Sequence, residues 1–121
     1  MIVAMNCITV PENQVEEFER RFLQRERLLA KAPGFLRFDL LRRGRAGDYV
    51  VLTYWRSESD FRSWVKSDLF KRAHAREAER PLGGHSELRL YEVIDSESAA
   101  GSSFAAQSPD DEHALGEALA N

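Results

Sequence analysis

The apolar positions of this chain change period several times, and each change marks an element. Ile2 to Val10 is rich in β-branched and apolar residues, with Ile2, Ala4, Asn6, Ile8 and Val10 alternating onto one face of a strand. Pro11 stops that strand, and Asn13 follows as a candidate helix cap. Between 14 and 31, Val15, Phe18, Phe22 and Leu29 recur at the three-to-four spacing of one helical face, predicting a single helix that ends before Pro33-Gly34. Phe35 to Arg43 and Asp48 to Arg56 are two more strands, joined as an antiparallel hairpin by a Gly44 to Gly47 turn. Ser57 then caps a second helix with Phe61, Trp64 and Val65 facing inward, and a break is expected at Ser67-Asp68. A further helix covers about Leu69 to Glu79, Pro81 to Gly84 is a loop, and Glu87 to Asp95 is the last strand.

The order is strand, helix, strand, strand, helix, strand. That predicts an α+β, ferredoxin-like βαββαβ fold, an antiparallel sheet with its helices on one face. In the third strand Val50, Leu52 and Tyr54 point one way and Tyr49, Val51, Thr53 and Trp55 the other, so both sheet faces are apolar. The helices cover only one of them, and a homodimer packed through the other is the economical expectation.

Composition narrows the setting. Of 121 residues, 43% are apolar and 31% charged, which suits one globular domain over residues 1–95. The net charge of −3 hides an asymmetry: residues 96–121 hold five acids and no Lys or Arg, and are rich in Ser, Ala and Gly, predicting a flexible acidic tail. The 17 basic residues form no dense block beyond Arg42, Arg43 and Arg45 at the hairpin turn, which argues against nucleic acid. The apolar runs are strand-sized and nothing at Met1 to Val10 resembles a signal peptide, so the expectation is a cytoplasmic protein without a membrane partner. Cys7 is the only cysteine and is expected to be a small buried apolar residue.

Four residues break the pattern. Asn6 puts a primary amide in the apolar row of the first strand, where it is either satisfied by backbone or faces a ligand. Arg25 continues the Val15, Phe18, Phe22, Leu29 stripe, so its cation either snorkels to solvent or meets an anion at the core-facing side. Trp64 and His74 flank the Ser67 break, each explicable alone as packing or as a hydrogen-bonded structural residue, and more informative together. His85 and His113 have no metal-ligand partners at close spacing and read as solvated loop residues. No phosphate loop, zinc spacing or Ser/Cys nucleophile motif competes.

With Asn6, Arg20-Arg21-Phe22-Leu23-Gln24-Arg25, Pro33-Gly34-Phe35, Thr53-Tyr54-Trp55-Arg56-Ser57 and the segment from Trp64 through Lys66-Ser67-Asp68-Leu69-Phe70 to His74, residues 2 to 95 resemble the haem-degrading monooxygenases of the antibiotic biosynthesis monooxygenase superfamily. The resemblance implies a dimeric α+β barrel and a catalytic set of Asn6, Trp64 and His74. It makes His74 the axial ligand of haem iron, and Phe22, Arg25, Trp64 and His74 the haem-binding residues. Neutral imidazole is a good iron ligand, Asn6 would offer a hydrogen bond to dioxygen on the opposite side, and Trp64 would press the porphyrin out of plane. Haem would then be both substrate and cofactor, with O2 consumed and electrons supplied by an external reductant or separate reductase, since the sequence has no flavin or nicotinamide motif. Two alternatives share the fold: a cofactor-free monooxygenase of aromatic quinols, with His74 as base, and a non-catalytic haem carrier.

Overall fold

The computed structural model describes residues 1–44 and 47–101. Four strands, β1 (Ile2–Thr9), β2 (Phe35–Arg43), β3 (Asp48–Trp55) and β4 (His85–Glu92), form one antiparallel sheet in the order β2-β3-β1-β4. Helices α1 (Val15–Leu23), α2 (Glu58–Val65), α3 (Asp68–Ala73) and α4 (Ala75–Glu79) complete the ferredoxin-like α+β order, with short 3-10 turns at Glu12–Gln14 and Leu28–Lys31. Among the described residues no helix is long and apolar enough to cross a membrane.

The expected dimeric barrel is corrected. The sheet is open, with β2 and β4 as its two edges, and it does not close into a barrel. Four strands are too few to curl onto themselves; closure with a filled interior takes about eight.

Register explains the faces. Asn6 stands between Val51 and Leu88, Ala4 between Thr53 and Leu90, and Ile2 between Trp55 and Glu92. The row Ile2, Ala4, Tyr49, Thr53 and Trp55 is buried, as the alternation predicts, because the helices lie on that side. The opposite face carries Val3, Met5, Val50, Leu52 and Tyr54, only half-buried, together with Leu41 and Tyr91, each 47% exposed. Cys7 also lies there, half-buried rather than in the core. β4 ends at Glu92 and not Asp95 because its partner runs out: Ile2 pairs with Glu92, and beyond it only the Val93 amide reaches the Met1 carbonyl, at 3.0 Å.

The helices depart from expectation in instructive ways. The predicted helix over 14–31 stops at Leu23. Its stripe points to Leu29, but Leu28 is the residue buried, at 2% exposure, and the chain leaves the helix at Gln24 to turn that side chain inward. Asn13 does not cap; it lies in the 3-10 turn, and Gln14 precedes α1 without a side-chain cap. Ser57 does cap α2, its Oγ accepting from the Asp60 amide at 3.1 Å. Ser67 caps α3 in the same way from the Phe70 amide, at 3.1 Å, so the break expected there is a paired stop and start. Val65 is 39% exposed and does not join Phe61 and Trp64 in the core. Gly34 closes the α1–β2 connection at φ +80°, where any Cβ would collide with the Asp60 carboxylate. Of the domain expectations, residues 96–101 carry no regular structure, and 102–121, with most of the acidic tail, lie outside the described residues, as does Arg45.

Candidate active site

The helix-side core is two clusters, not one. Ile2, Ala4, Leu28, Ala32, Trp55, Phe61 and Trp64 form the first, with Leu69 and Phe70 packed on it. Val10, Phe18 and Tyr49 form the second, with Phe22, Leu40 and Leu82 alongside. Asn6 belongs to neither. Its register neighbours are Val51, half-buried, and Leu88, 52% exposed, so the strand floor between the clusters is left uncovered where the amide projects. Among the described residues the Asn6 side chain makes no hydrogen bond, so no backbone group there satisfies the amide.

One wall comes from α1 and the chain after it. Phe22 lies 4.9 Å from the Phe18 ring and 6.2 Å, stacked, from Phe38 of β2. Arg25 is no longer helical; its Nη1 doubles back to donate to the Phe22 carbonyl at 2.7 Å, and its guanidinium lies 4.2 Å over the Phe38 ring. Burial, with the nearby Arg27 charge, pushes the Arg25 pKa below the usual arginine value. No carboxylate among the described residues pairs with it. It therefore neither snorkels freely nor is neutralised, and remains a fixed cation beside two aromatic rings.

The other wall is an aromatic train. Trp64, 7% exposed, lies 6.4 Å from Trp55 and edge-on to Phe70 at 5.7 Å. Trp55 is fully buried and its indole N–H donates to Thr53 Oγ1 at 2.8 Å. Phe70 in turn stacks on His74, centroids 4.0 Å apart. His74 stands between α3 and α4, a break that the apolar spacing does not announce. Its Nδ1 is 2.9 Å from the Phe70 carbonyl oxygen, and that oxygen can only accept, so Nδ1 carries the proton. In the neutral ring the lone pair then lies on Nε2, the form in which imidazole binds a metal or takes a proton, and the ring is exposed.

The structure thus groups Trp64 and His74 through Phe70, and Phe22 and Arg25 through Phe38, with Asn6 on the floor between. Among the described residues no ring contact or hydrogen bond joins the two groups or ties Asn6 to either. Sequence reasoning missed Phe38 and Phe70; alternation in β2 and the four-residue step from Phe70 to His74 were the available signals. His85 opens β4 instead of lying in a loop, and His113 lies outside the described residues. Among the described residues no group of three or more His, Cys, Asp or Glu is placed to hold a metal. Two surface hollows lie elsewhere, one of about 360 Å3 around Met1, Arg56 and Tyr91, the other of about 390 Å3 beside Arg21 and Arg76.

The ferredoxin-like sheet with its helices on one face sets the fold class, and comparison with known proteins narrows it to a family. The model of the antibiotic biosynthesis monooxygenase family matches residues 1–76, and the chain belongs to that family. It is 34% identical to the mycobilin-producing haem oxygenase of Mycobacterium tuberculosis over 94 residues, 77% of this chain and 89% of that protein. The solved structure of the haem-degrader MhuD from Mycobacterium tuberculosis, with two haems bound in its active site, superposes at a TM-score of 0.68 with 33% identity, covering 79% of this chain and 98% of that one. SnoaB, a cofactor-independent oxygenase from Streptomyces nogalater, superposes at 0.58 with 29% identity, over 78% and 94%.

Proposed function

We propose that this chain is a haem-degrading monooxygenase that binds haem, its substrate, between the Phe22–Arg25 wall and the Trp64–His74 wall and opens the porphyrin ring. The observation that carries the reading is the His74 imidazole, held through Nδ1 by the Phe70 carbonyl so that Nε2 is the nitrogen left to meet a ligand; the Asn6 amide, without a hydrogen bond among the described residues, supports it. These groups fit haem: a flat apolar ring suits Phe22 and Trp64, an iron atom suits His74 Nε2, and Arg25 suits a propionate.

When bound, haem supplies the redox chemistry that activates O2. The protein's part is placement. His74 holds the ring from one side, and the Phe70 carbonyl fixes which nitrogen it presents. The Asn6 amide donates a hydrogen bond to dioxygen without being able to give up a proton at ordinary pH, so it orients oxygen and does not acidify it. Trp64, braced by Trp55, would supply a rigid edge of the haem site that resists a flat ring. Electrons come from an external reductant or a separate reductase, since the reading names no group in the chain to supply them. Two copies associate in the cytoplasm through the open face bearing Leu41, Leu52, Tyr54 and Tyr91, each a domain over 1–95 followed by an acidic tail.

Hemin titration tests the proposal. A His74-dependent Soret band, followed by its bleaching with ascorbate in the presence of catalase, is the expected result. Absence of binding would favour a cofactor-free oxygenase like SnoaB, and binding without bleaching would leave a carrier.

A further inference from the structure

His74 sits in the least anchored part of the described fold. Residues 71–81 are all exposed, and neither α3 nor α4 buries a residue. Phe70 ties the start of the segment to the core, but the stretch after His74 has no apolar anchor of its own until Leu82. What holds it is charge reaching across from α1. Arg21 Nη1 donates to Glu77 Oε2 at 3.0 Å and to the Arg80 carbonyl at 2.7 Å. The other oxygen of Glu77 accepts from the Leu82 amide at 3.1 Å, so one guanidinium and one carboxylate fasten the end of α4 and the loop behind it. A second link, from Arg72 to Glu26, is a two-bonded fork at 3.0 and 2.6 Å, but both side chains are more than half exposed. Such an exposed pair contributes little. Arg21 is different: its side chain is only 14% exposed, and its Nε is buried without a hydrogen-bond partner, Glu17 Oε2 standing 3.6 Å away. A buried donor left unmet is unfavourable, so the orientation of this guanidinium follows from the bonds at Nη1, which outweigh it.

We propose that Arg21 is a positioning residue of the site: by holding Glu77 and the Arg80 carbonyl it fixes the helix that follows His74, and with it the place of the imidazole. The inference rests on the haem reading for its ligand and on the cross-links for its mechanics. Arg21 precedes Phe22 and its two partners follow His74, so the same tie sets the spacing of the two walls.

The test uses the full chain with Arg21→Gln, Arg21→Lys and Glu77→Gln. The last removes the exposed partner, itself 52% exposed, without touching the interior. In the ligand-free protein, amide exchange over residues 72–80 is expected to speed up about tenfold in Arg21→Gln and Glu77→Gln, with the rest of the sheet unchanged, and less in Arg21→Lys. With hemin bound, the same two variants should release it about tenfold faster, the range usual for groups that orient a metal ligand. They should also show a mixed ferric spectrum in place of one histidine-ligated species. Wild-type exchange over 72–80 in both variants would overturn the proposal whatever hemin does. Equal hemin binding by wild type and His74→Ala would instead overturn the ligand assignment, and the exchange measurement would still decide whether Arg21 holds the segment.

Discussion

The imidazole of His74 lies nearly parallel to the ring of Phe70, 29° apart, and is bonded through Nδ1 to the carbonyl of the same residue. One residue thereby both braces the ring face and selects the tautomer of the histidine. Removing the imidazole in His74→Ala should abolish the histidine-type Soret band of the hemin complex. Phe70→Leu keeps the carbonyl but loses the stacking face, and should weaken hemin binding by about tenfold while leaving the ligation type intact. Titration followed by absorbance reads both, and an unshifted Soret band in His74→Ala would remove His74 as ligand.

Asn6→Ala should still bind hemin, because the amide faces the uncovered strip and holds no other group. Degradation, measured as loss of the Soret band under ascorbate and catalase, should fall by about 100-fold or more, as when a single oriented donor is removed from a reacting centre. Wild-type turnover in this variant would strip the amide of that role.

Trp64 serves packing and, in the proposed reaction, ring distortion. Activity should decline from wild type through Trp64→Phe to Trp64→Ala with hemin still bound, and NMR of the cyanide-inhibited ferric form should show the porphyrin flattening in the same order. Trp64→Ala should also lose about 3–5 kcal/mol of stability on denaturant unfolding, because the indole is buried against Ile2, Ala4 and Trp55. Trp64→Phe therefore carries the cleaner activity comparison. Equal rates in all three proteins would return the residue to packing alone.

The sequence made the sheet legible because its signals are local: alternation in β1 and β3, glycines at the hairpin turn, and serines ahead of α2 and α3. Asn6 was legible for the same reason, as a polar side chain out of place in an apolar row. The ends of α1 and the break at His74 were not, because both are settled by tertiary contacts. Leu28 is drawn into the Trp55 cluster out of helical register, and α4 is hung on an arginine fifty-six positions earlier than its Glu77 partner. The open sheet illustrates the other limit, since apolar faces tell that something must cover them but not how the strands close.

Stability at the two pH extremes should follow the Glu19–Tyr49 pair. The Tyr49 hydroxyl, driven by burial and by its bond to Glu19, has its pKa pushed up to about 12. Its contribution is full below pH 10 and is lost as pH rises through 12. The Glu19 carboxylate is held below its usual value by Tyr49 first and Arg42 second, so its contribution is present above about pH 4.5 and fades on acidification through its lowered folded value. Tyr49→Phe should flatten the alkaline limb of a chemical-denaturation profile and reduce the acid one. An alkaline limb of wild-type steepness in that variant would place its origin elsewhere.

Association should depend on the open face. Leu52→Lys should give a monomer by sedimentation at micromolar concentration, whereas deleting residues 97–121 should leave the dimer in place. A monomeric truncated chain would transfer the contact to the tail.

β1 occupies an inner position of the sheet, paired on one side by β3 and on the other by β4. β1 is thus completed by a strand synthesised well after it. At about 5–20 residues per second a ribosome spends several seconds between releasing the two. Throughout that interval Asn6 and its neighbours hold an unpaired edge, and the floor of the proposed site is assembled only when β4 emerges and adds itself to the nascent chain.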